Sequence, residues 1–128
     1  MGQAGADEEV RGMSTSPLPP LVIDVVDALG TVLITVTGEL DLQTVPQLAA
    51  VMTPLRARQC ELDLVQVPFA DSAALNFLVR HRRDALAEAG SLRVVAVSSQ
   101  VRRLLKVAGV EGLLLADPDA GQSGSTPF

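Results

Sequence analysis

Between Leu21 and Thr37 the apolar positions fall in strand patterns. Leu21-Val22-Ile23-Asp24-Val25-Val26 is rich in β-branched residues, and Thr31-Val32-Leu33-Ile34-Thr35-Val36-Thr37 alternates Thr with apolar residues. Leu29-Gly30 separates the two runs, so they read as a hairpin. Gly38-Glu39-Leu40-Asp41 then breaks the alternation, and Thr44-Val45-Pro46-Gln47 has the spacing of a capping box with Pro in the first helical turn. A helix is predicted from about Val45 to Arg58, because Leu48, Val51, Met52 and Leu55 recur at three- and four-residue steps. Its apolar face requires a sheet beneath it.

Glu61-Leu62-Asp63-Leu64-Val65 alternates again, and after Val67-Pro68-Phe69 the pair Asp71-Ser72 opens the longest predicted helix, which runs to about Ala89. Leu75, Leu78, Val79, Leu86 and Ala89 are expected on its inner side and Arg80, Arg83, Asp84 and Glu88 on the outer side, with Gly90 as the stop. Leu92-Arg93-Val94-Val95-Ala96-Val97 reads as a largely buried strand. Ser98 or Ser99 caps a third helix that turns Val101, Leu104, Leu105 and Ala108 inward and ends at Gly109. Leu113-Leu114-Leu115 offers a short C-terminal strand as an option. The order β-β-α-β-α-β-α, with crossovers through helices, predicts an α/β fold whose sheet is covered by helices on at least one face.

The rest of the chain differs in character. Residues 1–19 carry Asp7-Glu8-Glu9 and a Ser/Pro-rich stretch, and residues 117–128 are rich in Gly, Ser and Asp, so a flexible arm and a flexible tail are expected around one domain at residues 20–116. The total length of 128 residues fits a single core. The formal net charge is −5, yet the body holds ten acidic and nine basic side chains, so the excess sits in the ends. A near-neutral body in a chain with pI near 4.7 lacks the basic stripe of a nucleic-acid binder, and three Phe with no Trp or Tyr cannot pave a base-stacking platform. No apolar run approaches ~18 residues and no signal-peptide pattern opens the chain, so a cytoplasmic protein is expected.

Familiar catalytic arrangements fail in turn. The one imidazole, His81, lies nine residues after Ser72 on the same predicted helix, which places the two on opposite sides; His81 is expected at the surface. One His and one Cys leave only carboxylates for a metal, and Cys60 reads as a small core residue. Gly38 stands alone, with no phosphate loop around it. No catalytic group, metal or cofactor is therefore expected, and an enzyme is the least favoured class. What remains is a pair of loop-to-helix junctions. Phe69-Ala70-Asp71-Ser72-Ala73-Ala74-Leu75 puts a hydroxyl at the cap or first turn of a helix, where unpaired N–H groups and the dipole favour negative charge. The residues also fit a plain cap, in which Asp71 or Ser72 contributes about 1 kcal/mol and nothing more. Gly38-Glu39-Leu40-Asp41 likewise fits a simple turn leading to Thr44.

The run Thr37-Gly38-Glu39-Leu40-Asp41, followed about thirty residues later by Phe69-Ala70-Asp71-Ser72 opening a long helix, resembles the STAS domain of bacterial anti-sigma factor antagonists. The resemblance continues through Leu92–Val97 and Val101–Gly109 and covers residues 20–116. It implies a STAS-like mixed β-sheet covered by α-helices. It also implies a binding switch, in which the antagonist engages an anti-sigma factor, often a serine kinase, and is inactivated when that kinase phosphorylates a serine. Carried over, the serine is Ser72. The implied partner-binding group is Glu39, Asp41, Asp71, Ser72, Ala73 and Ala74, while composition and hydropathy leave no direct nucleic acid and no membrane insertion expected. Where many antagonists have a second Ser or Thr and then Gly, this chain has Ala73-Ala74, so a phosphorylation-independent STAS scaffold or transport-complex subunit stands as the alternative. The sequence sets no oligomeric state.

Overall fold

The expected hairpin is formed by β1 (Val22–Ala28) and β2 (Thr31–Thr37), which pair antiparallel from Val22 opposite Thr37 to Ala28 opposite Thr31. Its two-residue loop holds Leu29 at φ +55° and Gly30 at φ +87°, as a hairpin turn with both central residues left-handed requires. The structure is a computed structural model and describes residues 21–115; the expected arm at 1–19 and tail at 117–128 lie outside those residues. β2 pairs in parallel with β3 (Gln59–Gln66), and β3 in parallel with β4 (Ser91–Val97), giving a mixed sheet of order β1-β2-β3-β4. Val32, Ile34 and Val36 of β2, Cys60, Leu62 and Leu64 of β3, and Leu92 and Val94 of β4 are buried. The alternating Thr31, Leu33, Thr35, Glu61 and Arg93 on the other face are not, so the helices cover one face only.

Three differences from the sequence pattern have clear causes. The first helix is shorter than expected: α1 (Val45–Met52) gives way to a 3₁₀ turn at Thr53–Leu55, because Pro54 has no N–H to continue the α-helical ladder. The expected capping box at Thr44 does not form. Thr44 is itself in helical conformation and makes no side-chain cap bond, and Asp41 caps the preceding turn instead. In α2 (Ser72–Ala87) the inward face is Ala74, Leu75, Leu78, His81 and Ala85, while Leu86 is 52% exposed. Ala74, Leu78, His81 and Ala85 keep a four-three-four spacing that places the smallest side chains against the sheet, and the histidine is carried inward with them.

His81 is therefore a core residue, 3% exposed, not the surface residue that its helix position suggested. Its ring lies 5.8 Å from Phe77, and its Nε2 has no hydrogen-bond partner among the described residues. Burial pushes its pKa below the ordinary 6.5; Asp84 opposes this and Arg56 adds to it. The stability that depends on a neutral ring is complete above pH 6.5 and is lost as pH falls toward the lower folded value. We expect the unfolding free energy from urea titrations to fall between pH 7.5 and 5.5, by at most ~1.4 kcal/mol per pH unit, and to stay flat over that window in His81→Leu. Equal pH slopes for the two proteins would contradict the buried neutral ring.

The helix also stops two residues early. Ala89, at φ +65°, takes the left-handed position, and Gly90 N–H closes the end on the carbonyl of Ala85 at 2.8 Å. α3 (Ser99–Val107) is capped by Ser98, as one of the two expected choices, and Gly109 at φ +77° ends it. The chain then makes one turn of helix, α4 (Glu111–Leu114), which takes up Leu113 and Leu114. The optional C-terminal strand is thereby reduced to a single parallel bridge between Leu115 and Val94.

Candidate functional site

Because β2, β3 and β4 run parallel, their carboxyl ends share one edge of the sheet, and the chain leaves that edge for α1, α2 and α3. Open α/β sheets hold their sites at such edges. Here the loops are stitched to one another. Gly38 N–H donates to the Gln66 carbonyl at 3.2 Å, Leu40 N–H to the Phe69 carbonyl at 2.9 Å, and Asp71 N–H to the Leu40 carbonyl at 3.2 Å. The sheet is thus prolonged by a bridge between Leu40 and Ala70, both buried.

Asp71 is the joint of this arrangement. One carboxylate oxygen accepts from Ala74 N–H at 3.0 Å and caps α2; the other accepts from Leu42 N–H at 3.1 Å in the neighbouring loop. Asp41 does similar work locally, with one oxygen taking Gln43 N–H at 2.9 Å and Thr44 N–H at 3.1 Å. The buried Thr44 hydroxyl donates to the Glu39 carbonyl at 2.8 Å and accepts from Asp41 N–H at 2.9 Å, which fixes the turn that carries Glu39. On the other side, Ser98 Oγ donates to the Val67 carbonyl at 2.7 Å and accepts from Val101 N–H at 3.3 Å.

Ser72 is the first residue of α2 and is exposed, held by a cap it does not itself supply. No hydrogen bond from a described residue engages its hydroxyl. Glu39 is also exposed, and Asp41 and Asp71 are half-buried in the adjoining loops. The structure so brings Glu39, Asp41, Asp71 and Ser72 to one edge. Ala73 is half-buried beside them, whereas Ala74 is fully buried, so its side chain faces the core and only its N–H, taken by Asp71, belongs to the edge. His81 lies in the core, and Cys60 is buried on β3, where burial pushes its thiol pKa up against the lowering effect of Arg58.

Two features escaped the sequence. The bond from Leu42 to Asp71 spans 29 residues and leaves no local pattern. Leu42 and Phe69, 72% and 49% exposed, are apolar side chains standing at the surface on either side of this joint. The bulk of Phe69 directly before the buried Ala70 is the one signal that could have drawn attention to it. The joint itself is testable: Asp71→Ala removes a cap and a long-range acceptor together, and is expected to cost about 2 kcal/mol in urea unfolding. Asp71→Asn, whose amide oxygen still accepts, is expected to cost less. A loss below ~0.5 kcal/mol for the alanine variant, the size of an ordinary surface change, would contradict the assignment.

Residues 23–116 match the family model described as "Mlab, STAS domain". The anti-sigma-B factor antagonist of Staphylococcus aureus (strain NCTC 8325 / PS 47) is 33% identical over 82 residues, 62% of this chain and 76% of that protein. Among solved structures, an anti-sigma factor antagonist from Mycobacterium paratuberculosis superposes with a TM-score of 0.67 at 27% identity, covering 78% of this chain and 89% of its own. The antagonist SpoIIAA has the same fold. Its unphosphorylated form gives a TM-score of 0.62 at 22% identity, over 78% of this chain and 92% of that one. The Bacillus SpoIIAA in the phosphorylated form gives 0.59 at 20% identity, over 78% and 96%.

Proposed function

The chain belongs to the STAS domain family and, within it, to the anti-sigma factor antagonists; we propose that it binds an anti-sigma factor of the serine kinase type and is switched off by phosphorylation of Ser72. Binding frees the sigma factor that the regulator holds, and the protein acts by association rather than by catalysis. The module responsible is residues 20–116, working in the cytoplasm where its partner works; no described helix is long and apolar enough to cross a membrane.

One observation carries the reading. The Ser72 hydroxyl stands exposed on the first residue of α2, while Asp71 does the capping that would otherwise account for a serine there. A plain cap is thus provided without Ser72, and its hydroxyl is left for another use. That a protein of the same fold exists in unphosphorylated and phosphorylated forms supports the same reading.

A second reading keeps the binding module and omits the switch, as a STAS scaffold or transport-complex subunit. Ala73-Ala74 favours it, since these residues depart from the Ser or Thr and Gly that follow the modified serine in many antagonists. Incubating the chain with ATP and each serine-kinase anti-sigma factor of its own genome, then reading the Ser72 peptide by mass spectrometry, separates the two. Phosphate on Ser72 is expected with one of them. Stable binding by a partner that leaves Ser72 unmodified would favour the scaffold.

A further inference from the structure

We infer that the groove between the β3–α2 loop and α3 is the anchoring half of the same docking surface, and that its occupant is an apolar side chain of the anti-sigma partner with a carboxylate beside it. The inference rests on the reading of Ser72 given above and extends it to a second subsite.

The groove encloses about 350 Å³ and is walled by Pro68, Phe69, Leu104 and Val107, with Gln100 and Arg103 at its polar side. Phe69 is 49% exposed and Val107 79%, so two walls are apolar surface left in water. Its volume lies at the small end of the ~300–1,000 Å³ range of ligand pockets, and it is open to solvent rather than closed over, a shape suited to a protruding side chain. Phe69 precedes Ser72 by three residues, at most ~10 Å of extended chain, so a surface that covers Ser72 also reaches the groove.

The charges say which way round a partner sits. Glu39, Asp41 and Asp71 make the loops beside Ser72 acidic, whereas the groove side is basic. Arg102 is paired with Glu111 at 3.2 Å, but Arg103, which faces the groove, has no ion-pair partner among the described residues. A carboxylate next to the partner's apolar anchor would take that place and fix the docking register. A single hydroxyl cannot supply the affinity of a regulatory complex; buried apolar anchors do, and the groove is the concave place at this edge that can seat one.

The test uses the full chain and the anti-sigma factor that the phosphorylation experiment identifies, with affinities measured by calorimetry. Val107→Ser, at an exposed position, and Phe69→Ala are each expected to weaken binding about 30-fold while leaving the thermal midpoint within 2 °C. Arg103→Glu is expected to weaken it about tenfold and to reduce its salt dependence. If all three bind within twofold of the unmodified chain while Ser72→Glu still abolishes binding, the groove is not part of the interface and the inference is overturned. If Ser72→Glu and Ser72→Ala bind equally, the reading beneath it has failed instead. Amide signals of Phe69 and Val107 that shift in the uncomplexed protein when the chain is shortened after Leu115 would give the groove to the chain's own C-terminal segment, and would also overturn the inference.

Discussion

Ser72→Glu is expected to lower affinity for the anti-sigma partner by at least 100-fold, while Ser72→Ala stays within a few-fold of the unmodified chain. The reason lies in what surrounds the hydroxyl. A phosphate brings about −1.5 to −2 charges at neutral pH, and a helix N-terminus ordinarily repays a negative group by about 0.3–1 kcal/mol. Part of that compensation is already taken in this protein, because one Asp71 oxygen accepts from Ala74 N–H in the first turn of α2. The uncomplexed domain has no reason to rearrange, since the new group points into water. In the complex it would be desolvated against a surface matched to a small neutral hydroxyl. An unpaired charge there costs several kcal/mol, and each ~1.4 kcal/mol is tenfold in affinity. Glutamate carries one charge instead of nearly two, so the loss for Ser72→Glu is a lower bound on the loss for the phosphorylated chain. A partner that bound Ser72→Glu more tightly would have basic groups facing Ser72, and the switch would then run in the opposite sense.

The second large effect concerns the fold. Gly90→Ala is expected to cost at least about 3 kcal/mol, because an added Cβ would lie 2.0 Å from the Arg56 carbonyl oxygen, 2.7 Å from that of Arg58 and 2.9 Å from the Ala57 carbonyl carbon. All three are backbone atoms in the turn that leads into β3, so no flexible side chain can yield, and the α2–β4 connection has to move off that turn. Gly90 also donates the bond that closes α2 on Ala85 and precedes Ser91, whose N–H donates to the Arg58 carbonyl at 3.0 Å. The neighbouring position gives the control: Ala89 sits at φ +65°, and Ala89→Gly is expected to stabilise by about 1 kcal/mol by removing left-handed strain. Urea unfolding of both variants reads the contrast. A mild Gly90→Ala would mean that the turn at Arg56–Arg58 yields to an added methyl group, and a destabilising Ala89→Gly would mean that the left-handed Ala89 is not strained; either contradicts the account.

These two neighbours also show what a sequence can and cannot display. A helix ending at Ala89-Gly90 is legible, but which residue turns left-handed depends on the turn packed against Gly90, whose Arg56 lies 34 residues earlier in the chain. The strands and their alternation were legible because one covered face repeats every second residue, and Val32, Ile34 and Val36 display it. The burial of His81 is not legible because large apolar side chains mark a different face, while the inner face of α2 is built on Ala74 and Ala85, which let the helix approach the sheet and bring an imidazole with them. At the candidate site the position of Ser72 at the head of the long helix was legible from the chain. The separate duties of Asp71 and Ser72 were not, since they are assigned by the contact with Leu42, and only the folded loops bring that contact about.

The central claim is that the Ser72 hydroxyl is covered when the regulator docks, and a structure of the complex tests it most directly. The account predicts Ser72 Oγ within 4 Å of partner atoms and out of contact with solvent, with the loops that carry Glu39 and Asp71 at the same interface. A complex in which Ser72 remains open to water and distant from the partner would contradict it.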